Sequence, residues 1–186
     1  YLFWRNPETA LVGLYGSLAR RDASDATNLR LGLEAQYYLP GVTIGGIAGF
    51  NRTIADKVTN LPEVGFVAGS RSQSFLALDA SWYATDNFKL SLGYRYWGRT
   101  SAAAAGVEYL VQGGQPAAYS IFAEARAGEN RYLAGMAGVR VYFGQKDKSL
   151  IRRHREDDPP NYLPEEMFAP HGASQKGQAK VVKSYD

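Results

Sequence analysis

Leucine occupies every second position from Leu29 to Leu33, and the alternation runs on through Ala35, Tyr37 and Leu39. The interleaved positions are Asn28, Arg30, Gly32, Glu34, Gln36 and Tyr38. Successive side chains of an extended chain point to opposite faces, so a period of two gathers the first set on one side of a strand and the second on the other. A helix would scatter the three leucines around its axis. Arg30 and Glu34 have the spacing of a helical ion pair, but the leucine pattern outweighs it.

The same design recurs along the chain. Over 86–99, Phe88, Leu90, Leu92, Tyr94 and Tyr96 share one parity, with Lys89, Ser91, Gly93, Arg95 and Trp97 on the other. Over 73–84, Leu76, Leu78, Ala80 and Trp82 oppose Asp79 and Ser81. Over 118–127, Tyr119, Ile121, Ala123 and Ala125 oppose Ser120, Glu124 and Arg126. Over 131–143, Leu133, Val139, Val141 and Phe143 oppose Gly138, Arg140 and Tyr142. Weaker alternation predicts strands at 9–19, 42–52 and 103–112, and Tyr1 to Arg5 reads as the end of one more, turned at Asn6-Pro7. The result is about eight strands of roughly 10–13 residues, the length a tilted strand needs to cross a bilayer and longer than many soluble strands.

Tight turns are expected at Leu39-Pro40-Gly41, Thr85-Asp86-Asn87 and Gly113-Gly114-Gln115-Pro116. Longer connections at 20–27 and 53–72 alternate with them, as do short ones at 99–102 and 128–130. Tight turns at one end and longer loops at the other are the outer-membrane arrangement, which the two short connections fit poorly. After Gly144 the texture changes. Gln145-Lys-Asp-Lys-Ser leads into Arg152-Arg-His-Arg-Glu-Asp-Asp158 and then Pro159-Pro160, with no sustained period. Residues 1–144 therefore read as a β-barrel, with room for strands ahead of Tyr1, and 145–186 as a charged, Pro-containing, largely irregular tail.

Composition narrows the function classes. The chain has no Cys, which removes disulfide frameworks and Cys-based metal sites. A formal charge of +3 is too small to argue for nucleic acid. Tyr, at 13 copies, favours strands and membrane interfaces. No apolar run approaches the length of a spanning helix, and the residues from Tyr1 onward do not read as a signal peptide.

Alternation alone does not say which face meets water, and three features favour an apolar exterior. Small residues crowd the polar parity at Gly32, Gly93, Gly106, Gly138, Ser81, Ser91 and Ser120, as a narrow lumen requires. Aromatic rings gather near strand ends at Tyr37, Trp82, Phe88, Tyr96, Tyr109, Tyr119 and Phe143, as in interfacial girdles. The segment Gly138-Val-Arg-Val-Tyr-Phe143 is similar to the outer-membrane assembly signal, with Gly138, Val141 and Phe143 matching. Met136 stands where that signal has a polar residue, and the tail follows where the signal usually ends a chain.

Residues 1–143 thus resemble the small outer-membrane barrel proteins of Gram-negative bacteria. The stretch Tyr142-Phe-Gly-Gln-Lys-Asp-Lys-Ser-Leu-Ile-Arg-Arg-His-Arg-Glu-Asp-Asp-Pro159 resembles the end of uncharacterised porin-like proteins of proteobacteria. The resemblance implies an all-β, antiparallel up-and-down transmembrane β-barrel of about 8–10 strands, located in the bacterial outer membrane. Its partners would be outer-membrane lipid, the barrel-assembly machinery and a periplasmic or surface partner.

The inward parity carries Arg30, Glu34, Asp79, Lys89, Arg95, Glu108, Glu124, Arg126 and Arg140. Charges facing a narrow lumen must pair or be hydrated, so these read as an ion-pair network filling the barrel rather than the lining of an open pore. No Ser/His/Asp set is credible, because His154 and His171 both lie in the tail and read as solvated side chains rather than metal ligands. The Arg152–Arg155 cluster is cancelled by Glu156, Asp157 and Asp158, and reads as a solvated mixed-charge segment. The expected protein is not an enzyme and has no cofactor. Its expected role is structural, anchoring or surface-interacting. The alternatives are a small porin or channel for small solutes, and a soluble lipocalin-like barrel that binds an apolar ligand.

Overall fold

A computed structural model of the chain describes residues 1–21, 26–55, 60–61, 64–65, 71–111, 117–143 and 147–157. Nine strands form one antiparallel up-and-down sheet. They are β1 (Leu2–Asn6), β2 (Ala10–Arg21), β3 (Ala26–Leu39), β4 (Val42–Ala55), β7 (Arg71–Thr85), β8 (Phe88–Trp97), β9 (Thr100–Val111), β10 (Ala117–Gly128) and β11 (Tyr132–Phe143). Between β4 and β7, β5 (Asn60–Leu61) and β6 (Val64–Gly65) pair only with each other. One helix, α1 (Leu150–Glu156), follows the sheet. No helix among the described residues is long and apolar enough to cross a membrane.

The nine strands of the sheet follow one another in chain order, with only the β5–β6 hairpin inserted between the neighbours β4 and β7, so each strand pairs through the connection that precedes or follows it. Two of those connections are dictated by glycine. At Pro40-Gly41, Gly41 takes φ 66°, the position after proline that a type II turn reserves for glycine. At Gly98-Arg99, Gly98 takes φ 59° and Trp97 pairs directly with Thr100. A positive φ at the first of two turn residues belongs to the II′ hairpin, which matches the strand twist. The expected connection at 99–102 is therefore shorter than read, because β9 already begins at Thr100. The expected turn at 113–116 lies outside the described residues.

The apolar parity lies on the exposed face and the polar parity on the enclosed one. Leu31, Leu33, Leu78, Trp82, Leu90, Leu92, Ile121, Val139 and Val141 are all exposed, Leu92 at 70%, Leu133 at 79% and Phe143 at 81%. Register brings these groups together: Leu14 lies opposite Leu33, Leu78 opposite Tyr94, and Ile121 between Tyr109 and Val139. Such cross-strand pairs are the unit of sheet stabilisation. On the other face Arg30, Glu34, Arg95, Glu108, Ser120 and Arg126 are buried.

The sheet is strongly curled about its polar face. The Arg30 guanidinium on β3 lies 4.8 Å from the Trp97 ring on β8, three strand spacings away, which would be about 14 Å in a flat sheet. The His154 ring on α1 reaches hydroxyls on both β7 and β11. Four spacings, about 19 Å when flat, separate those strands. β1 and β11 are the two edges and are not paired with each other. Nine alternating strands leave them running in the same direction.

The tail departs from the irregular reading over part of its length. Leu150–Glu156 is helical and packs into the enclosed face. The reason is Leu150, which is fully buried against Tyr83, Leu110, Ala118 and Tyr142, with Ile151 alongside. Burying one leucine contributes about 1.5–3 kcal/mol, which stabilises a helix too short to hold by itself. Residues 158–186 lie outside the described residues.

Candidate functional site

The enclosed face carries two clusters. The first fills its middle: Ile47 and Ala77 pack with Phe75, and Tyr15 and Trp97 close around them. Phe75 and Trp97 stack at 5.4 Å, and the Arg30 guanidinium lies 5.2 Å and 4.8 Å from their ring centres. Beside it Arg95 donates to Asp79 at 2.8 Å and to the Leu78 carbonyl at 2.9 Å. Gly93 makes that pair possible, because a Cβ there would overlap both the Asp79 carboxylate and the Arg95 guanidinium. Arg126 pairs with Glu124 at 2.7 Å. Towards β1, the Tyr1 hydroxyl donates to Glu34, whose other oxygen accepts from Gln36 at 3.0 Å.

The second cluster lies near the tight-turn end and centres on Glu108, which is 1% exposed. Its Oε2 receives Arg140 at 2.7 Å and Lys89 at 3.0 Å. Its Oε1 accepts from Ser120 at 2.6 Å and from Tyr142 at 2.9 Å. Every oxygen is thus satisfied by charged or polar donors, as burial of a carboxylate requires. The Arg140 guanidinium also lies 4.5 Å from the Phe122 ring centre.

Helix α1 completes this cluster. His154 Nδ1 lies 2.9 Å from the Tyr83 hydroxyl, and Nε2 lies 3.3 Å from the Tyr142 hydroxyl and 3.5 Å from Glu108. Tyr142 spends its proton on Glu108, so its oxygen accepts from Nε2–H while Tyr83 donates to Nδ1. The neutral Nε2–H tautomer therefore satisfies both ring nitrogens. Burial pushes the imidazole down from its usual range to about 4, and the nearby Lys89 ammonium pushes the same way. Arg153 is buried beneath the Tyr142 ring and donates to the Lys148 carbonyl at 3.0 Å. Arg155 crosses to the β3–β4 turn and donates to the Leu39 and Val42 carbonyls at 2.8 Å and 2.9 Å. Asn87 Oδ1 accepts from the Leu150 amide at 3.1 Å, and the Asp86 carbonyl accepts from the Ile151 amide at 3.1 Å.

The solvated reading of 152–158 is accordingly corrected for His154, Arg153 and Arg155, and stands for Arg152, whose side chain is 58% exposed and pairs with Glu156 at 2.8 Å. Hydrogen bonds from Arg152 and Lys148 hold the Glu156 carboxyl down at about 2. A packed helix was hidden because seven residues are too few for an apolar period to show. The local signals are Ser149 ahead of Leu-Ile and the Arg152/Glu156 spacing. His171 lies outside the described residues.

Of the charges read as lumen-facing, Lys89, Glu108 and Arg140 meet in one cluster, Arg95 with Asp79 and Arg126 with Glu124 in two separate pairs, and Arg30 and Glu34 in contacts of their own. Among the girdle candidates Tyr37, Trp82, Tyr109, Tyr119 and Phe143 are exposed and lie near the tight-turn end, and Trp4 joins them. Phe88 is half-buried and lies 6.4 Å from Tyr109. Tyr96 is at the opposite end and donates to the Gly98 carbonyl at 2.8 Å. In the assembly-signal segment, Val141 and Phe143 are exposed and Gly138 lies against the Phe122 ring. Among the described residues no group of His and carboxylates has the arrangement of a metal site. Compared with known families, with curated proteins and with solved structures, the chain matches none.

Proposed function

We propose that this chain is a bacterial outer-membrane β-barrel protein whose sheet closes on itself around a filled lumen, and that it serves as an anchor with a structural or surface-interacting role. The observation that carries the reading is the reversal of faces: strand after strand exposes leucine, valine and aromatic side chains while arginine and glutamate are buried. Water-soluble monomers rarely expose an apolar area of that extent. In lipid it is the favourable surface, and the polar face then needs the internal pairing that its charges make. An apolar ligand inside a soluble barrel would need the opposite orientation.

Closure is supported by the curl of the sheet and by the cost of leaving it open. β11 is an edge of twelve residues. In hydrocarbon each unsatisfied backbone group costs several kcal/mol, so only closed sheets persist there. The girdle near the tight-turn end supports the same orientation, with rings at headgroup level. The lumen is filled at mid-height by Ile47, Phe75 and Trp97 and near the tight turns by α1. A lumen so filled favours an anchor over a channel. Glu108 and Ser120 are too deeply buried to meet a substrate, so we assign no catalysis to them.

Gel mobility of the full-length protein from outer-membrane fractions, with and without boiling in SDS, tests the reading. A closed barrel resists SDS until heated and gives two mobilities. A single mobility, from protein recovered in the soluble fraction, overturns it.

A further inference from the structure

Helix α1 spans distant parts of the curled sheet. Arg155 binds the β3–β4 turn, while its neighbour His154 binds β7 and β11. Both of these residues face the enclosed side, and between them they fasten a seven-residue helix across the tight-turn mouth. The catch at one end is a titratable ring held by two hydroxyls.

We propose that α1 is a pH-released plug, latched by neutral His154 and expelled from the mouth when His154 takes up a proton. The inference stands on the contacts of α1 and holds whether or not the sheet closes.

The charges around the ring give the reason. From β7 it faces Tyr83, from β11 Tyr142 and Arg140, from β8 Lys89, and from β9 Glu108. On its own helix Arg153 and Arg155 flank it. One carboxylate already serves two cations at 2.7 Å and 3.0 Å. A protonated ring would add a third cation to that single anion. It would also turn Nδ1 from acceptor to donor, so the Tyr83 proton now aimed at it must find another acceptor.

The direction with pH follows. The docked ring binds its proton only near pH 4, whereas a released histidine titrates near ~6.5. Above about 6.5 the docked helix keeps its full advantage. Between there and about 4 the released form binds more protons, so docking weakens as pH falls. The pairs of Glu156 with Lys148 and Arg152, which hold α1 to itself, do not share this window. Glu156 stays ionised down to about 2.

The chain has no cysteine, so Asp147→Cys and Arg99→Cys place a single pair of spin labels, one at the exposed residue just ahead of α1 and one in the exposed hairpin at the far end of β8. Pulsed electron–electron resonance on the detergent-solubilised protein then reads the distance between them. One narrow distance is expected at pH 7.5, and a longer, broad distribution in more than half the molecules at pH 4. With His154→Gln, which hydrogen-bonds but does not titrate, the narrow distance is expected at both. Release of that variant at both pH values also supports the latch, since the imidazole then holds the plug by itself. A narrow distance in the native sequence at pH 4, a broad distribution in the native sequence at pH 7.5, or release of the glutamine variant only at pH 4 overturns the proposal.

Discussion

Leu92→Arg separates a lipid-facing surface from a water-facing one by the size of its effect. Leu92 is 70% exposed, and its register neighbours are Ala80 on β7 and Ala105 on β9. Neither neighbour has a polar atom to receive a guanidinium, and neither is bulky enough to bury one. In water such a substitution stays within about 0.5 kcal/mol, because surface changes away from special features are nearly neutral. On the lipid face near mid-bilayer it costs about 2–4 kcal/mol, a shift of roughly 30- to 800-fold in the folding equilibrium constant. The assay is urea unfolding of the protein assembled in phospholipid vesicles, followed by the fluorescence of its three tryptophans. Arg99→Leu, at the hairpin between β8 and β9, is the rim control and is expected to change little. A Leu92→Arg midpoint within 0.5 kcal/mol of the native value, roughly the surface limit, refutes the lipid-facing assignment.

Three further perturbations address the enclosed face. Leu150→Ala removes the one fully buried apolar side chain of α1, and a loss of about 2–5 kcal/mol exceeds what a seven-residue helix holds; trypsin is then expected to cut at Arg152 and Arg153 while the sheet keeps its circular-dichroism signal. Glu108→Gln leaves Lys89 and Arg140 beside each other without their shared anion, at a cost of about 3–5 kcal/mol, read as a lower urea midpoint. Gly93→Ala drives a methyl group into the Arg95–Asp79 pair and is expected to lower stability by about 1–3 kcal/mol, read as a fall in Tm, while Gly135→Ala, with only the Glu124 carbonyl 3.5 Å from its Cβ position, changes it little.

Alternation along the chain was enough to place the strands, because a period of two is a local property that no tertiary contact needs to supply. Leu29 to Leu39 and Phe88 to Tyr96 declared their faces residue by residue, and the strands at those positions carry that division. Pro40-Gly41 declared its turn through the backbone preferences of two residues. Which charges meet was not legible. Lys89, Glu108 and Arg140 lie on three strands, and only their register, set by the hairpins between and around them, brings them within 3.0 Å. His154 was the largest miss. Nothing within a few residues of it says that a ring in a charged segment will sit between Tyr83 and Tyr142, 71 and 12 positions away. Strand positions and the parity of each side chain were thus determined by the sequence alone, since both depend on neighbours along the chain. The curl of the sheet, the partners of each buried charge and the docking of α1 were decided only in the tertiary structure, because each depends on residues that the chain brings together from far apart.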